Sequence, residues 1–439
     1  MNDNSKGNPL ALLPLVVFLS IFIGSGIITG NFKSVPIIVA VLIAAGAALV
    51  MNRKKPFSEK MDVFCKGAGH PNIMLMAVIF ILAGAFSATA NGMGAVESTV
   101  NLALTILPHN LLIVGIFFIA CFISLSMGTS TGTVVALAPI GIGISAQTDV
   151  SIALAMGAVI GGAMFGDNLS FISDTTIAAV RTQQTKMKDK FKVNFFIVLP
   201  AAIVTAVILF VLTSGVEGTV DTHSYNFVKI LPYLAVLVAA LAGANVLVVL
   251  AGGILLSGII GFIDGSYTLL TFLQAVGEGI GSMQNLAMLA ILIGGMVEII
   301  KYNGGLDFLL HTVTKNVKSK RGAQFGIAGL VGLTNVSTAN NTVSIIIAGP
   351  LAKNIADEYE VDPRKSASIL DIFACTVQGM IPYGGQLMAA SGLAAISPVA
   401  IMPYSFYPVL TGICGVLAIV FNWPKLASKQ HASAKKNVS

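Results

Sequence analysis

The chain has 439 residues, 55% hydrophobic and only 10% charged, with a formal charge of +6 and a mean hydropathy of +0.88. That composition excludes an ordinary soluble domain, and recurring runs of about 20 apolar residues mark a polytopic protein of the lipid bilayer. The basic residues stand in short clusters between apolar spans, as orientation signals do, which excludes nucleic acid as a partner. Cys65, Cys121, Cys375 and Cys414 are scattered without metal-ligand spacing, so neither a zinc site nor a disulfide framework is indicated.

In chain order, apolar spans fall at roughly 10–28, 35–51, 73–90, 111–145, 151–180, 194–214, 228–263, 285–302, 325–352, 366–396 and 403–422. The first follows a single lysine and lacks a small-residue cleavage site, so it reads as a transmembrane helix and not a signal peptide. Span 228–263 carries the turn signal Ala242-Gly243-Ala244-Asn245, which splits it into two helices. Spans 111–145 and 325–352 are interrupted by SMGTSTGT (126–133) and TNVSTANNT (334–342). A double crossing needs about 40 residues, so both read as re-entrant hairpins. In 151–180 the run GDNLSFISDTT (166–176) breaks the helix, because Ser, Asn, Asp and Thr compete with the helical ladder and Gly166 invites a break. Span 366–396 is broken at Pro382-Tyr383-Gly384-Gly385. The expected fold is an all-α polytopic membrane protein of about ten transmembrane helices plus two re-entrant hairpins.

Placing both termini in the cytoplasm puts 23 of the 25 Lys and Arg on the inner face, leaving only Lys33 and Lys229 outside. This implies the cytoplasmic membrane, and it divides the chain into two inverted repeats, 1–227 and 228–439. Short matches support the pairing: ILAG at Ile81 with ILIG at Ile291, Thr133-Val134 with Thr342-Val343, Pro139 with Pro350, and Asp167 with Gly385. Inverted repeats with paired broken helices mark a secondary transporter with its site near the bilayer midplane.

The four polar breaks converge on that site. Asp167 and Asp174, with Ser170, Ser173, Thr175, Thr131 and Thr133, are hard oxygen ligands for Na⁺ or carriers of a proton, and ionisable groups in a membrane span are costly unless they function. No cofactor beyond the coupling ion is called for. Ser130, Asn340, Asn341, Thr342, Gln378, Tyr383 and Gln386 supply donors and acceptors for an organic substrate. The blander reading has the carboxylates capping half-helices or pairing with a distant lysine, and the small residues merely letting helices approach. Glu298 and Lys301 are spaced as an i,i+3 pair. Asp371 either pairs with Arg364 and Lys365 or relays protons, while Tyr404, Tyr407 and Trp423 read as interfacial anchors. Glu217, Asp221 and His223 fall in an outer loop.

FGDNLSFISDTT (165–176) resembles the NhaC-type sodium/proton antiporter family of the ion-transporter superfamily, whose pattern is approximately FGDKLSPLSDTT. Asp167, Leu169, Ser170, Ser173, Asp174, Thr175 and Thr176 match it, and the hairpin tips at 129–133 and 340–342 look like that superfamily's ligand-binding hairpins. Asn168 stands where the family often has lysine, removing a charge partner for the aspartate, and Phe171 where it often has proline. The resemblance implies a transporter, not an enzyme, that moves Na⁺ and/or H⁺; the alternative, also within the family, is Na⁺- or H⁺-coupled carriage of an amino acid. A channel ranks below both, since nothing suggests a continuous selectivity pore, and a homodimer is left open.

Overall fold

The computed structural model describes residues 7–426 except 30–34, 107, 172, 216–223, 243 and 315–318, and the described residues are mainly helical, with no strand among them. The expectations for Lys6, Lys33, Glu217, Asp221, His223, Lys315, Lys318 and the basic tail after 426 lie outside the described residues.

The first half runs α1 (Leu13–Thr29), α2 (Ile37–Val50), α3 (Phe57–Ala68), α4 (Pro71–Gly92), α5 (Ala95–Ile106), α6 (Leu112–Met127), α7 (Ser130–Gln147), α8 (Ile152–Leu169), α9 (Asp174–Thr182) and α10 (Met187–Thr213). The second runs α11 (Phe227–Leu241), α12 (Val246–Ile263), α13 (Leu269–Tyr302), α14 (Gly305–Thr314), α15 (Lys320–Thr338), α16 (Asn341–Glu358), α17 (Pro363–Gln378), α18 (Gly385–Ala394), α19 (Pro398–Ile401) and α20 (Phe406–Val420). Each of the ten spans expected to cross contains a helix. Among the described residues, seven candidate spans are long and apolar enough to cross a membrane, or eight if the pair bent by 102° at Gly385–Ala394 and Pro398–Tyr404 is one span. Ile37–Val50, Phe227–Ala239 and Phe406–Val420 are shorter. The 14 residues of α2 rise only about 21 Å against a hydrocarbon core of about 30 Å. Hydropathy along the chain had merged such helices with apolar flanks.

Helix caps show how the halves correspond. Thr129 and Asn340 have nearly the same backbone (φ −149°, ψ 118° and φ −147°, ψ 117°), and each accepts a hydrogen bond from the backbone N–H three residues on. Each follows a left-handed residue, Gly128 (φ 69°) or Ala339 (φ 52°). Their separation is 340 − 129 = 211 residues. The same offset relates the N-caps Ser151 and Asp362, the N-caps Ser173 and Gly384, and the left-handed Gln184 and Ala395. This register corrects two of the pairings drawn from short strings. Thr342 corresponds to Thr131 and not Thr133; Asp167 corresponds to Gln378, while Gly385 corresponds to Asp174 and Gln386 to Thr175. Runs of Ser and Thr let an alignment slip, whereas a cap fixes register through the backbone.

Glycines set the closest approaches. A Cβ on Gly84 of α4 would lie 2.0 Å from the Gly279 carbonyl oxygen of α13, and one on Gly279 would lie 2.3 Å from that of Gly84. Against α6, a Cβ on Gly162 would meet the Phe117 carbonyl at 2.2 Å and one on Gly166 the Cys121 carbonyl at 2.3 Å. Gly166 therefore does not break the helix. It lies buried inside α8, which ends at Leu169, and it seats the broken helix against the first arm of the hairpin.

Candidate functional site

Between α8 and α9 the chain leaves the helix at Ser170 and re-enters it at Asp174, with Ser170 and Ser173 both extended (φ −67°, ψ 135° and φ −64°, ψ 136°). The negative end of one half-helix and the positive end of the other meet at the break. Asp167, one turn before the first end, is 4% exposed; Asp174, the first residue of the second half-helix, is exposed. Both line a cavity of about 90 Å³ with Thr129, Ser130, Thr131, Ser173, Thr175, Asn340, Asn341, Thr342 and Gln386; Leu75, Met76 and Ile79 of α4 give it an apolar wall. Both hairpin tips and both broken helices contribute.

A directed chain of hydrogen bonds organises it. Gln386 Nε2 donates to Ser130 Oγ at 2.8 Å, and Ser130 Oγ donates to Asp167 Oδ2 at 2.7 Å. Ser173 Oγ donates to Asp167 Oδ1 and lies 2.8 Å from Thr175 Oγ1. Since the single hydroxyl hydrogen of Ser173 goes to the carboxylate, Thr175 donates in the second contact. Both Asp167 oxygens are thus held by hydroxyl hydrogens, and the chain reaches from the second half into the first. Gln386 Oε1 is buried without a partner.

The model of the Na⁺/H⁺ antiporter family matches residues 9–216 and again 214–423. The chain belongs to the Na⁺/H⁺ antiporter family. Among its relatives, the Na⁺/H⁺ antiporter NhaC of Bacillus subtilis is 26% identical over 93% of this chain and 97% of that protein. The malate-2H⁺/Na⁺-lactate antiporter of the same organism is 22% identical over 94% of each chain, and the arginine/ornithine antiporter ArcD of Halobacterium salinarum is 25% identical over 70% of each. Among solved structures, the YdaH transporter of Alcanivorax borkumensis aligns over 84% of this chain and 89% of its own, with TM-score 0.42 and 14% identity.

In this antiporter-family chain not every expected ligand faces the cavity. Ser170 Oγ donates to the Leu125 carbonyl at 2.7 Å, tying the break to α6. Thr133 is fully buried and donates to the Thr129 carbonyl at 2.9 Å. Tyr383 donates to the Val336 carbonyl at 2.7 Å, and Gln378 Nε2 to the Ala339 carbonyl at 3.1 Å. Gln378 occupies the position of Asp167, so each broken helix reaches back to its own hairpin, through a carboxylate in one half and an amide in the other.

Sequence reasoning missed a buried network behind the break. Lys190, counted among the inward basic residues, is 1% exposed; its Nζ donates to Asp371 Oδ2 at 2.7 Å, Thr176 Oγ1 at 2.7 Å and the Asn168 carbonyl at 2.9 Å. Asp371 therefore pairs with Lys190 and not with Arg364 or Lys365. Arg364 turns to Asp362 at 2.6 Å and Lys365 to Asn422 at 2.6 Å. Tyr407, expected at the interface, is fully buried and accepts from Asn168 Nδ2 at 2.9 Å. Glu298 and Lys301 do pair, at 3.4 Å.

Proposed function

We propose that the protein exchanges Na⁺ for H⁺ across the cytoplasmic membrane, with Asp167 and Asp174 binding cation and proton alternately. The observation that carries this reading is the buried Asp167 carboxylate, its oxygens held by the Ser130 and Ser173 hydroxyls in a cavity of about 90 Å³. One water needs about 10–15 Å³ of such space, whereas pockets for drug-sized organic ligands span about 300–1,000 Å³. A small cation with a few waters fits it. Carboxylate and hydroxyl oxygens are the hard ligands such a cation takes. When it arrives, the hydroxyls that donate to Asp167 rotate and present lone pairs instead. A proton on Asp167 uses the same lone pairs, so the two cargoes exclude one another, which is the condition for exchange.

Two inverted halves, 1–227 and 228–439, with both termini inside and both hairpins re-entrant, frame the site in this reading. The constant register of caps, the double family match and the basic clusters support it. A second cavity of about 180 Å³, lined by His70, Glu298, Lys301, Ser337 and Thr338 among others, shares the α15–α16 hairpin as a wall with the first. It serves as the inward vestibule, with that hairpin as the partition.

Cation-coupled carriage of an amino acid is the second reading, favoured by Asn341 on the wall and by the unpartnered Gln386 Oε1, and by relatives named for organic cargoes. It requires a wider cavity. Everted vesicles separate the two: Na⁺-driven proton movement reported by a pH-sensitive dye is expected. Accumulation of a labelled amino acid without any Na⁺-linked proton movement would replace the first reading by the second.

A further inference from the structure

Asn168, next to Asp167, is pinned on every polar group of its side chain and carbonyl that the structure pairs. Its carbonyl accepts from Lys190 Nζ at 2.9 Å and from Asn194 Nδ2 at 3.0 Å, and its amide donates to Tyr407. Lys190 also holds Thr176 in the first turn of α9, so one ammonium spans the break and grips both half-helices. Asp371 Oδ2 anchors both donors, Lys190 at 2.7 Å and Asn194 at 2.8 Å, and Ser368 donates to Asn194 Oδ1 at 2.5 Å. Asp371 and Ser368 belong to α17 and Tyr407 to α20, so the second half fixes the break of the first.

The network has no counterpart at the other break. At the 211-residue offset, Lys190, Asn194 and Thr176 correspond to Ile401, Ser405 and Leu387, and Asp371 corresponds to Ile160. Among the described residues, only the break that carries a carboxylate is clamped by a charge. A fully buried ion pair is also poor evidence of stabilisation, because well-packed apolar residues in its place are often neutral or better. Its value here is geometric. Asp167 lies within electrostatic reach of both members, and the pair is neutral as a unit, so it holds the carboxylate in place without adding net charge to the cavity.

We propose that Lys190 and Asp371 are positioning residues for cation binding, clamping the α8–α9 break so that Asp167 is preset to receive the ion. This rests on the exchange reading above. The decisive variant is the double substitution Lys190→Met/Asp371→Leu in the full chain, which removes the clamp without leaving either charge unpaired. Na⁺-driven proton exchange in everted vesicles is expected to show an apparent KM for Na⁺ raised about tenfold or more, the factor that losing one well-placed binding contact gives, with the maximal rate changed far less. An unchanged KM in protein that inserts and purifies normally overturns the proposal. If the double variant fails to insert, Thr176→Val decides: it removes one contact of Lys190 and keeps the ion pair. A raised KM that Thr176→Ser restores supports the clamp, and an unchanged KM overturns it. Asp167→Asn assayed in parallel separates the two readings. If that variant still exchanges Na⁺, the exchange site is wrong; if it is inactive while the clamp variants keep their KM, only the clamp is wrong.

Discussion

Asp167 is the residue on which the site turns, because its two oxygens are each engaged by a hydroxyl and neither faces lipid. Asp167→Asn keeps the volume but neither titrates nor offers full negative charge, and exchange is expected to vanish while the protein still reaches the membrane. Surface abundance measured beside vesicle transport checks this. Ser130→Ala removes one donor to Asp167 and the acceptor of Gln386 Nε2. Leaving a buried partner unpaired costs about 1–3 kcal/mol, so the KM for Na⁺ should rise about tenfold or more with insertion unchanged. Asn340 tests a different point, since its Oδ1 caps α16 at Val343 N, 3.0 Å away, as Thr129 caps α7. Asn340→Ser keeps the cap and should stay active and stable, whereas Asn340→Ala should lose about 1 kcal/mol of stability, read as a lower thermal midpoint. Equal transport and equal midpoints in the two variants would remove the capping role. The aspartates and Gln386 were legible as polar groups of the cavity because carboxylates and amides inside apolar sequence demand a reason; Ser130 was expected beside an organic substrate and instead donates to Asp167. Lys190 was not legible, because it sits among Lys186, Lys188 and Lys192 and reads as one more orientation charge. The signal that could have found it is spacing: Lys190 and Asn194 lie one helical turn apart, on the face of α10 that also buries Val193 and Ile197.

At the scale of elements, the breaks and tips were readable and the joints between them were not. Polar runs announced both hairpins and the first broken helix, since hydroxyl and amide side chains offer the backbone alternatives to the helical ladder. The amphipathic α3, with Asp62 and Lys66 exposed and Lys60 and Gly67 buried, appeared in sequence only as a basic cluster. The 34-residue α13 appeared as half its length, because the glycine-rich, polar stretch GEGIGSMQN (277–285) inside it separates its apolar first turns from the apolar run that follows. Glycine roles also needed coordinates: Gly166 sits in a polar run yet serves packing. Gly166→Val and Gly84→Leu each press new atoms into backbone already closer than a Cβ allows. Overpacking of this kind costs about 1–3 kcal/mol, and both variants should show lower thermal midpoints in detergent. Gly252, whose Cβ would meet nothing, supplies the control: Gly252→Ala should match the parent.

At the scale of the whole molecule, the arrangement stands or falls on which way the broken helix runs. Ile152–Thr182 is a 31-residue candidate span interrupted at its polar break, and it must cross completely if the cavity at its middle is to be reached from each side in turn. Asp149 precedes it and Lys186 follows it, and both are exposed. Cys65 is exposed on α3, whereas Cys121 and Cys375 are buried, so a Cys65→Ser background removes the most accessible native thiol. In that background, Asp149→Cys should react with a membrane-impermeant maleimide in intact cells, and Lys186→Cys only in everted vesicles. The exposed Arg181, Lys186, Lys188 and Lys192 argue for this sense of crossing. The repeat adds a constraint of its own, because α17 and α18 follow the same cap register and should run the opposite way if the halves are inverted. Lys353→Cys, before α17, should then label from the same side as Lys186→Cys. Reaction of both Asp149→Cys and Lys186→Cys from one side would make α8 and α9 a third hairpin, and the alternating access that Asp167 needs would lose its structural basis.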